Sequence, residues 1–191
     1  MTEPASTFDD LAPLRRKTIV LVGLMGVGKS SVGRRLAAAL DLPFRDADNE
    51  VEAAAGRSIS EIFAELGEAA FRDGERRVIA RLLDEPPHVL ATGGGAFVNP
   101  ETRALINEKA ISVWLKADVE LLARRVSRKD NRPLLKGKDP VAVLTELARV
   151  RYPAYAEAQV HVQTGDTPHG VAVDAILSAL RERLGQGAAQ P

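Results

Sequence analysis

The sequence contains no cysteine, which excludes disulfide bonds, thiolate nucleophiles and cysteine-ligated metals. Its three histidines, His88, His161 and His169, are scattered without the spacing of a zinc site. Neither sign of charge is in excess, because 26 basic residues balance 26 acidic ones. A protein that binds the backbone of a nucleic acid is usually strongly basic, so we expect no nucleic-acid partner.

Long apolar runs are also missing. No stretch approaches the roughly 18 consecutive apolar residues that a membrane-spanning helix needs. The first ten residues, MTEPASTFDD, lack the basic start and apolar centre of a signal peptide. We therefore expect a cytoplasmic protein with no membrane partner, and we expect it to be a monomer.

Short apolar runs alternate with helical patterns, which is typical of parallel β-α-β units. We predict strands at 18–23, 43–46, 89–92, 111–116 and 160–164. We predict helices at 29–40, from the capping box Ser58-Ile-Ser-Glu61, and at 67–84, 100–109, 118–128, 140–149, 153–158 and 169–184. This pattern predicts an α/β fold: a three-layer, doubly wound parallel sheet of about five strands with helices on both faces. Ligands bind such sheets at the carboxyl ends of the strands.

The segments between and beyond these elements suggest a single domain at 17–184. Residues 1–16 mix proline, serine, aspartate and arginine without a period, so we predict a flexible N-terminal arm. The last residues, 185–191, read GQGAAQP and are predicted to form a flexible tail. Residues 128–140, RKDNRPLLKGKDP, combine charge with prolines, as expected for a mobile lid.

The segment GLMGVGKSS, at 23–31, fits the Walker A pattern completely and lies between an apolar strand and a helix. Its glycines let backbone N–H groups turn inward on a phosphate, while Lys29 reaches the β- and γ-phosphates and Ser30 offers a hydroxyl to Mg²⁺. The predicted nucleotide-binding residues of this segment are Gly26, Val27, Gly28, Lys29, Ser30 and Ser31. The motif occurs in GTPases, transport ATPases and small-molecule kinases alike.

Two absences narrow this choice. The sequence has no guanine-reading Asn-Lys-x-Asp, and no long apolar strand that ends in the usual second magnesium-binding aspartate. The aspartates well placed after a strand are Asp46 and Asp48. On an extended segment, side chains two residues apart share one face.

Five further segments lie in the order and at the spacing found in shikimate kinases. They are Phe44-Arg-Asp46-Ala-Asp48, Phe71-Arg72-Asp-Gly-Glu75, Ala91-Thr92-Gly93-Gly94-Gly95, Arg132-Pro-Leu-Leu135 and Arg151-Tyr-Pro-Ala-Tyr155. With the Walker A loop, they make the chain resemble the shikimate kinase family over about residues 17–182. The resemblance implies a P-loop kinase fold and Mg-ATP-dependent phosphorylation of the 3-hydroxyl of shikimate, in chorismate and aromatic amino-acid biosynthesis. In one departure, Ala154 replaces the leucine that the family commonly has.

The resemblance also implies roles for individual residues. Asp48 would hold the acceptor hydroxyls and accept a proton, and Asp46 would assist Ser30 in holding the metal. Arg72 and Arg151 would clamp the carboxylate of shikimate, since a guanidinium fork can bind both oxygens. The other predicted substrate-binding residues are Glu75, Gly93, Gly94 and Gly95.

In the lid, Arg132 would neutralise charge on the transferring phosphoryl group, and Arg128 would lie against the adenine. The predicted catalytic residues are thus Lys29, Asp48 and Arg132. Two alternatives stay open: another small P-loop kinase, such as one for gluconate, and a regulatory module that binds nucleotide without catalysis. The triple glycine and Arg132-Pro-Leu-Leu135 weigh against the first, and the three catalytic residues weigh against the second.

Overall fold

The computed structural model of the chain describes residues 11–128 and 137–187. Its strands are β1 (Ile19–Val22), β2 (Phe44–Asp46), β3 (Val89–Ala91), β4 (Ile111–Lys116) and β5 (Val160–Gln163). Its helices are α1 (Lys29–Leu40), α2 (Ala47–Ala55), α3 (Ile59–Leu83), α4 (Pro100–Lys109), α5 (Val119–Ser127), α6 (Pro140–Tyr155) and α7 (His169–Gly187). Short 3₁₀ turns lie at Leu14–Arg16 and Ala96–Val98.

The strands form one parallel sheet in the order β2-β3-β1-β4-β5. Every residue of β1 and of β3 is buried. Because successive side chains of a strand point to opposite faces, helices must cover both faces of the sheet. The predicted three-layer parallel architecture is therefore confirmed.

The order of the strands decides where a ligand can bind. The chain passes from β1 to one side of the sheet for β2 and β3, and then to the other side for β4 and β5. Strand order therefore reverses beside β1, and the loop that follows β1 opens into the crevice at this switch point. The carboxyl ends of β2 and β3 lie next to it along the same edge.

Helix α2 was not predicted, and it changes the interpretation of Asp48. The side chain of Asp46 caps α2 by accepting a hydrogen bond of 3.1 Å from the backbone N–H of Asp48. Asp48 therefore lies in the first turn of a helix, so the expectation that both aspartates share one face of an extended segment is wrong. The buried residues of α2 are Ala47 and Val51. Two buried positions form too short an apolar pattern to indicate a helix in the sequence.

Helix α3 confirms the capping box and joins two predicted helices. The Ser58 hydroxyl accepts from the backbone N–H of Glu61, whose carboxylate accepts from the backbone N–H of Ser58. Gly67 interrupts the helix with φ 82° and ψ 171°. Glycine adopts this conformation without the steric cost of a Cβ atom, so the chain bends where the two predicted helices met.

Several boundaries differ from the expected ones by a single residue, and three differ by more. Helix α6 runs through Pro153, where a break between two helices was predicted. The helix ends only two residues later, so the missing N–H of the proline affects only its last turns. Leu11 and Leu14 are buried, so the packed chain begins before residue 17. Helix α7 continues to Gly187, past the predicted start of the tail at residue 185. Residues 1–10 and 188–191 lie outside the described residues.

No helix in the part of the chain that the structure describes is long and apolar enough to cross a membrane.

Candidate active site

The phosphate loop between β1 and α1 has the backbone that its glycines require. Gly23, Gly26 and Gly28 have φ angles of 144°, 84° and 95°. A Cβ atom on Gly23 would lie 2.5 Å from the carbonyl oxygen of Leu115, so space as well as conformation demands glycine there. Val27 is buried, which leaves its backbone as the part available to a ligand.

Lys29, the first residue of α1, folds back over this loop. Its Nζ atom donates hydrogen bonds to the carbonyl oxygens of Gly23, at 2.8 Å, and Leu24, at 3.1 Å. The ammonium group is thus held at the mouth of the loop, beside the positive N-terminal end of α1. A bound polyphosphate would meet this charge together with the inward-facing N–H groups.

A cavity of about 400 Å³ lies against the phosphate loop. Its lining residues are Gly26, Gly28, Lys29, Ser30, Ser31, Arg125, Arg128 and His169. The structure therefore brings together all the predicted nucleotide-contacting residues it describes apart from Val27. It adds two that sequence reasoning missed, Arg125 and His169.

Arg125 explains how the late loop before α7 reaches this cavity. Its Nη2 atom donates to the carbonyl oxygen of Gly165 at 2.7 Å, and the same atom lies 3.8 Å from a carboxylate oxygen of Asp166. The resemblance to the shikimate kinase family implies that the loop near residues 164–168 lies close to the adenine, but it names no single residue there. The signal that could have found His169 was its position directly after this loop, at the start of a helix.

The side chains of Ser30 and Asp46 place two oxygen-bearing groups side by side between the phosphate loop and β2. The Ser30 hydroxyl donates a hydrogen bond of 2.7 Å to Oδ2 of Asp46. Mg²⁺ prefers oxygen ligands and is commonly held by one or two carboxylates together with substrate phosphates. The side chains present therefore fit the predicted metal.

Two carboxyl groups, those of the half-buried Asp48 and the buried Glu75, lie beside the glycines that follow β3. Burial is the main effect that raises the pKa of Asp48, and the negative charge of Asp46 adds to it, while Lys29 opposes both. Burial also raises the pKa of Glu75, against the opposing effect of Arg72. Perturbed carboxyl groups of this kind are typical of functional sites.

Each glycine of the triple-glycine segment lies against a different polar side chain. A Cβ atom on Gly93 would lie 2.6 Å from Oε1 of Glu75 and 3.0 Å from Oδ1 of Asp48. A Cβ atom on Gly94 would lie 2.7 Å from Nη1 of Arg151.

On Gly95, a Cβ atom would lie 2.5 Å from Nη1 of Arg72. The segment therefore makes room for four predicted substrate-binding side chains, a role that its sequence alone did not indicate.

These side chains also support one another. Arg72 Nη1 donates a hydrogen bond of 2.7 Å to Oε2 of Glu75, whose residue is only 2% exposed. The other carboxylate oxygen of Glu75 is buried without a hydrogen-bond partner among the described residues. A free acceptor beside two arginines suits a ligand that carries both hydroxyl and carboxylate groups.

Tyr155 is a further residue of this site that sequence reasoning left without a role. It is fully buried, and its hydroxyl donates a short hydrogen bond to the carbonyl oxygen of Gly94. Burial raises the pKa of Tyr155 to about 12, against the opposing effect of Arg151, so the phenol stays protonated and keeps donating. Its place four residues after Arg151 on α6 was the available signal.

The remaining site predictions concern the lid. Arg128 lies at the end of α5 and lines the cavity at the phosphate loop. Arg132, together with residues 129–136 as a whole, lies outside the described residues.

A larger cavity, of about 740 Å³, lies at the opposite edge of the sheet. Lys17, Ile111 and Gln159, which lie at the amino ends of β1, β4 and β5, are among its lining residues. Ligands of doubly wound sheets bind at the carboxyl ends of the strands. In this chain, the phosphate loop, Asp48 and Glu75 lie at that end of the sheet. The chemistry of the lining residues therefore identifies the candidate active site better than the volume of the cavity does.

Shikimate kinases are similar to this chain in both sequence and structure. The family model described as shikimate kinase matches residues 25–181. Over 174 residues, 91% of this chain and 87% of the relative, the chain is 90% identical to the shikimate kinase of Caulobacter vibrioides (strain NA1000 / CB15N).

Among solved structures, shikimate kinase from Acinetobacter baumannii in complex with shikimate is 38% identical, with a TM-score of 0.84, over 87% of this chain and 94% of that one. The structure of a gluconokinase from Sinorhizobium meliloti 1021 matches with a TM-score of 0.61. The match covers 91% of this chain and 96% of the gluconokinase chain. At 20% identity, this second likeness extends to the fold alone.

Proposed function

We propose a role for each residue of this site in a single phosphoryl-transfer reaction, on the premise that the chain belongs to the shikimate kinase family. The chain is an ATP-dependent kinase that transfers a phosphoryl group to a hydroxyl group of shikimate. We assign the 3-hydroxyl as the acceptor, so that the product is shikimate 3-phosphate for chorismate and aromatic amino-acid biosynthesis. The domain at 17–184 would carry the whole reaction.

The observation that carries this proposal is the contact between the two halves of the site at Gly94. A Cβ atom on Gly94 would lie 2.7 Å from Nη1 of Arg151 and 3.6 Å from the carbonyl oxygen of Gly23, the first glycine of the phosphate loop. The group that would bind the acceptor therefore adjoins the loop that would hold the donor phosphates. Such proximity is the main requirement for transferring a phosphoryl group.

Shikimate would be held by its carboxylate and its hydroxyl groups. Arg72 and Arg151 would bind the carboxylate, and the glycines at 93–95 leave room for the ring against the backbone. Glu75 would orient Arg72 through their hydrogen bond of 2.7 Å, and its free oxygen would accept a hydrogen bond from a hydroxyl group of shikimate. These contacts would select an acceptor that carries a carboxylate as well as hydroxyl groups.

Asp48 is the proposed general base. The oxygen of the 3-hydroxyl would form a bond with the γ-phosphorus, the bond to the bridging oxygen of ADP would break, and the hydroxyl proton would move to Asp48. Burial raises the pKa of Asp48, which makes its carboxylate a stronger base than an exposed aspartate. The positive charge of Lys29 opposes this rise in pKa and favours the ionised carboxylate.

Charge on the transferring group would be balanced by cations from both sides. Lys29 would bind the β- and γ-phosphate oxygens, and Arg132 of the lid would approach the γ-phosphoryl group when ATP binds. Arg128 would lie against the adenine. Ser30 and Asp46 would hold Mg²⁺, which when bound neutralises phosphate charge and orients the β- and γ-oxygens.

The wider proposals concern the state of the protein in the cell. We assign it to the cytoplasm, where ATP is available, as a monomer with no nucleic-acid or membrane partner. No paired subunit is needed for the proposed chemistry, because both halves of the site come from one chain.

A coupled assay of ADP release with shikimate, with gluconate and with no acceptor tests the function. We expect stimulation by shikimate alone. Stimulation by gluconate but not by shikimate would overturn the assignment in favour of another small-molecule kinase. Tight ATP binding with no stimulation by either acceptor would favour a regulatory module without catalysis.

A further inference from the structure

The triple-glycine segment continues directly into the 3₁₀ turn at Ala96–Val98. The backbone N–H of Ala96 donates a hydrogen bond of 3.2 Å to the carbonyl oxygen of Gly93. The backbone N–H of Val98 donates one of 3.1 Å to the carbonyl oxygen of Gly95. The glycines and the turn therefore form one backbone unit, and a group that holds the turn also holds the glycines.

Arg103 of α4 holds this turn by two of its carbonyl groups. Its Nη1 atom donates hydrogen bonds to the carbonyl oxygen of Phe97, at 3.1 Å, and to that of Val98, at 3.0 Å. The last carbonyl groups of a helical turn find no partner inside the turn, so they need a donor from outside it. Only 16% of the Arg103 side chain is exposed, so water has little access to take over these contacts.

The same guanidinium group also reaches the end of α6, the helix on which one of the two proposed carboxylate-binding arginines lies. Its Nε atom donates a hydrogen bond of 2.8 Å to Oε2 of Glu157. The backbone N–H of Glu157 donates to the carbonyl oxygen of Ala154 at 3.1 Å, which keeps residue 157 against the last turn of α6. Arg103 thus links the glycine segment to α6 a second time, in addition to the hydrogen bond of Tyr155 to Gly94.

The contacts of Arg103 differ in how much they constrain the site. The side chain of Glu157 is 58% exposed, and an ion pair at such a surface contributes little to stability. The hydrogen bonds to the two carbonyl groups hold backbone atoms instead, and a charged donor makes them stronger than neutral ones. A guanidinium group is required for this arrangement, since the single nitrogen of a lysine cannot replace Nε and Nη1 at once.

We propose that Arg103 is a positioning residue for shikimate binding, which acts through the triple-glycine segment and does not touch the substrate. The inference rests on the proposed function. A Cβ atom on Gly94 would lie 2.7 Å from Nη1 of Arg151, and one on Gly95 would lie 2.5 Å from Nη1 of Arg72. At these distances, a shift of the glycine backbone changes the room left for both guanidinium groups that would bind the carboxylate.

Steady-state kinetics with Arg103→Met test the proposal on the whole chain. Methionine keeps an unbranched side chain but has no donor, so the KM for shikimate is expected to rise about threefold to tenfold. The affinity for ADP, measured by calorimetric titration, is expected to stay unchanged. Arg103→Lys keeps the charge and one donor nitrogen, and its KM for shikimate is expected to rise less.

Two control variants are expected to keep the wild-type KM for shikimate. Glu157→Gln neutralises the exposed ion pair and leaves the contacts of Arg103 with the turn in place. Arg149→Met makes the same arginine substitution at an exposed position of α6, where the side chain pairs with Glu146.

A double variant separates positioning from a general effect on stability. Tyr155→Phe would release the same glycine segment from α6, so the two substitutions are expected to be coupled. The rise in the KM for shikimate with Arg103→Met and Tyr155→Phe together should therefore be smaller than the product of the two single rises. A rise equal to that product would show independent effects and overturn the inference.

A lowered melting temperature with the wild-type KM for shikimate in every folded variant of Arg103 would restrict this residue to stability. That result would overturn the inference and leave the proposed function intact. If Arg103→Met does not fold, Arg103→Lys carries the test. A wild-type chain whose ADP release is not stimulated by shikimate would instead overturn the proposed function, and this inference with it.

Discussion

The hydroxyl of Ser30 donates a hydrogen bond of 2.7 Å to Oδ2 of Asp46, joining the phosphate loop to the carboxyl end of β2. The other carboxylate oxygen of Asp46 accepts the backbone N–H of Asp48 and begins α2. One carboxylate thus serves as a helix cap and, in the proposed function, as a metal-binding group. The two roles can be separated by mutation because they depend on different properties of the side chain.

Asp46→Asn is expected to keep the cap and impair metal binding. Asparagine caps a helix about as well as aspartate but carries no charge, whereas Asp46→Ala should also cost about 1 kcal/mol of folding free energy. Thermal denaturation should therefore separate the two variants, while both need more Mg²⁺ for half-maximal activity. An unchanged Mg²⁺ requirement in Asp46→Asn would contradict a metal-binding role.

Gly95→Ala is expected to raise the KM for shikimate and leave ADP affinity unchanged. The new methyl group would lie 2.5 Å from Nη1 of Arg72, so the guanidinium must move away from its present position. Because the obstructed atoms belong to the end of a flexible side chain, the melting temperature should change little. Steady-state kinetics check this, with Gly185→Ala as a control, since a Cβ atom there would meet no atom of the described residues within 4 Å. An unchanged KM would show that Arg72 need not keep its position.

Tyr155→Phe is expected to raise the KM for shikimate by about threefold to tenfold, with the KM for ATP unchanged. The substitution keeps the buried ring but removes the hydroxyl that holds the carbonyl of Gly94 beside Arg151. The ring of Trp114, the single tryptophan of the chain, lies 5.9 Å from that of Tyr155, so its fluorescence on addition of shikimate can be compared between the variant and the wild type. A loss of stability without any change in KM would restrict Tyr155 to a packing role.

Asp48→Asn is expected to lower kcat at least about a hundredfold, because the amide cannot accept the hydroxyl proton. Nucleotide should still bind, since Asp48 does not line the cavity at the phosphate loop. Single-turnover kinetics together with ADP titration measure both properties. A kcat close to that of the wild type would exclude Asp48 as the base.

Glu75→Gln is expected to raise the melting temperature at pH 7. Burial raises the pKa of Glu75 above its ordinary value of 4.5, so the protonated form favours the folded state. That stabilisation is fully present below the unfolded pKa and is lost as the pH rises through the folded pKa. The advantage of Gln should therefore shrink as the pH is lowered toward about 4.

Glu61→Gln provides a control of opposite sign for this experiment. Hydrogen bonds from the backbone and side chain of Ser58 lower the pKa of Glu61, so its stabilisation is present above the unfolded pKa and is lost as the pH falls through the folded pKa. This variant should be less stable than the wild type at pH 7. If Glu75→Gln were also less stable at pH 7, the ion pair with Arg72 would outweigh the cost of burial.

Elements with local signals were predicted well from the sequence. Helix α4 and strand β4 lie at the predicted residues, because Asn99 and Pro100 mark the start of the helix and an apolar run marks the strand. Helix α2 was missed because its N-cap, Asp46, ends a strand and Val51 is the only large apolar side chain of the helix. The break predicted at Pro153 was wrong because a proline near the end of a helix removes little that the helix needs.

The sequence by itself determined the phosphate loop, since its glycines, Lys29 and Ser30 act within one short segment whose chemistry is local. It also carried the motifs that resemble shikimate kinase. Only the tertiary structure decided which groups lie together: Gly94 with Tyr155 and Arg151, and Ser30 with Asp46. The physical reason is that parallel strands bring loops from distant parts of the chain to one edge of the sheet. Burial at that edge then sets the charge of the groups that gather there.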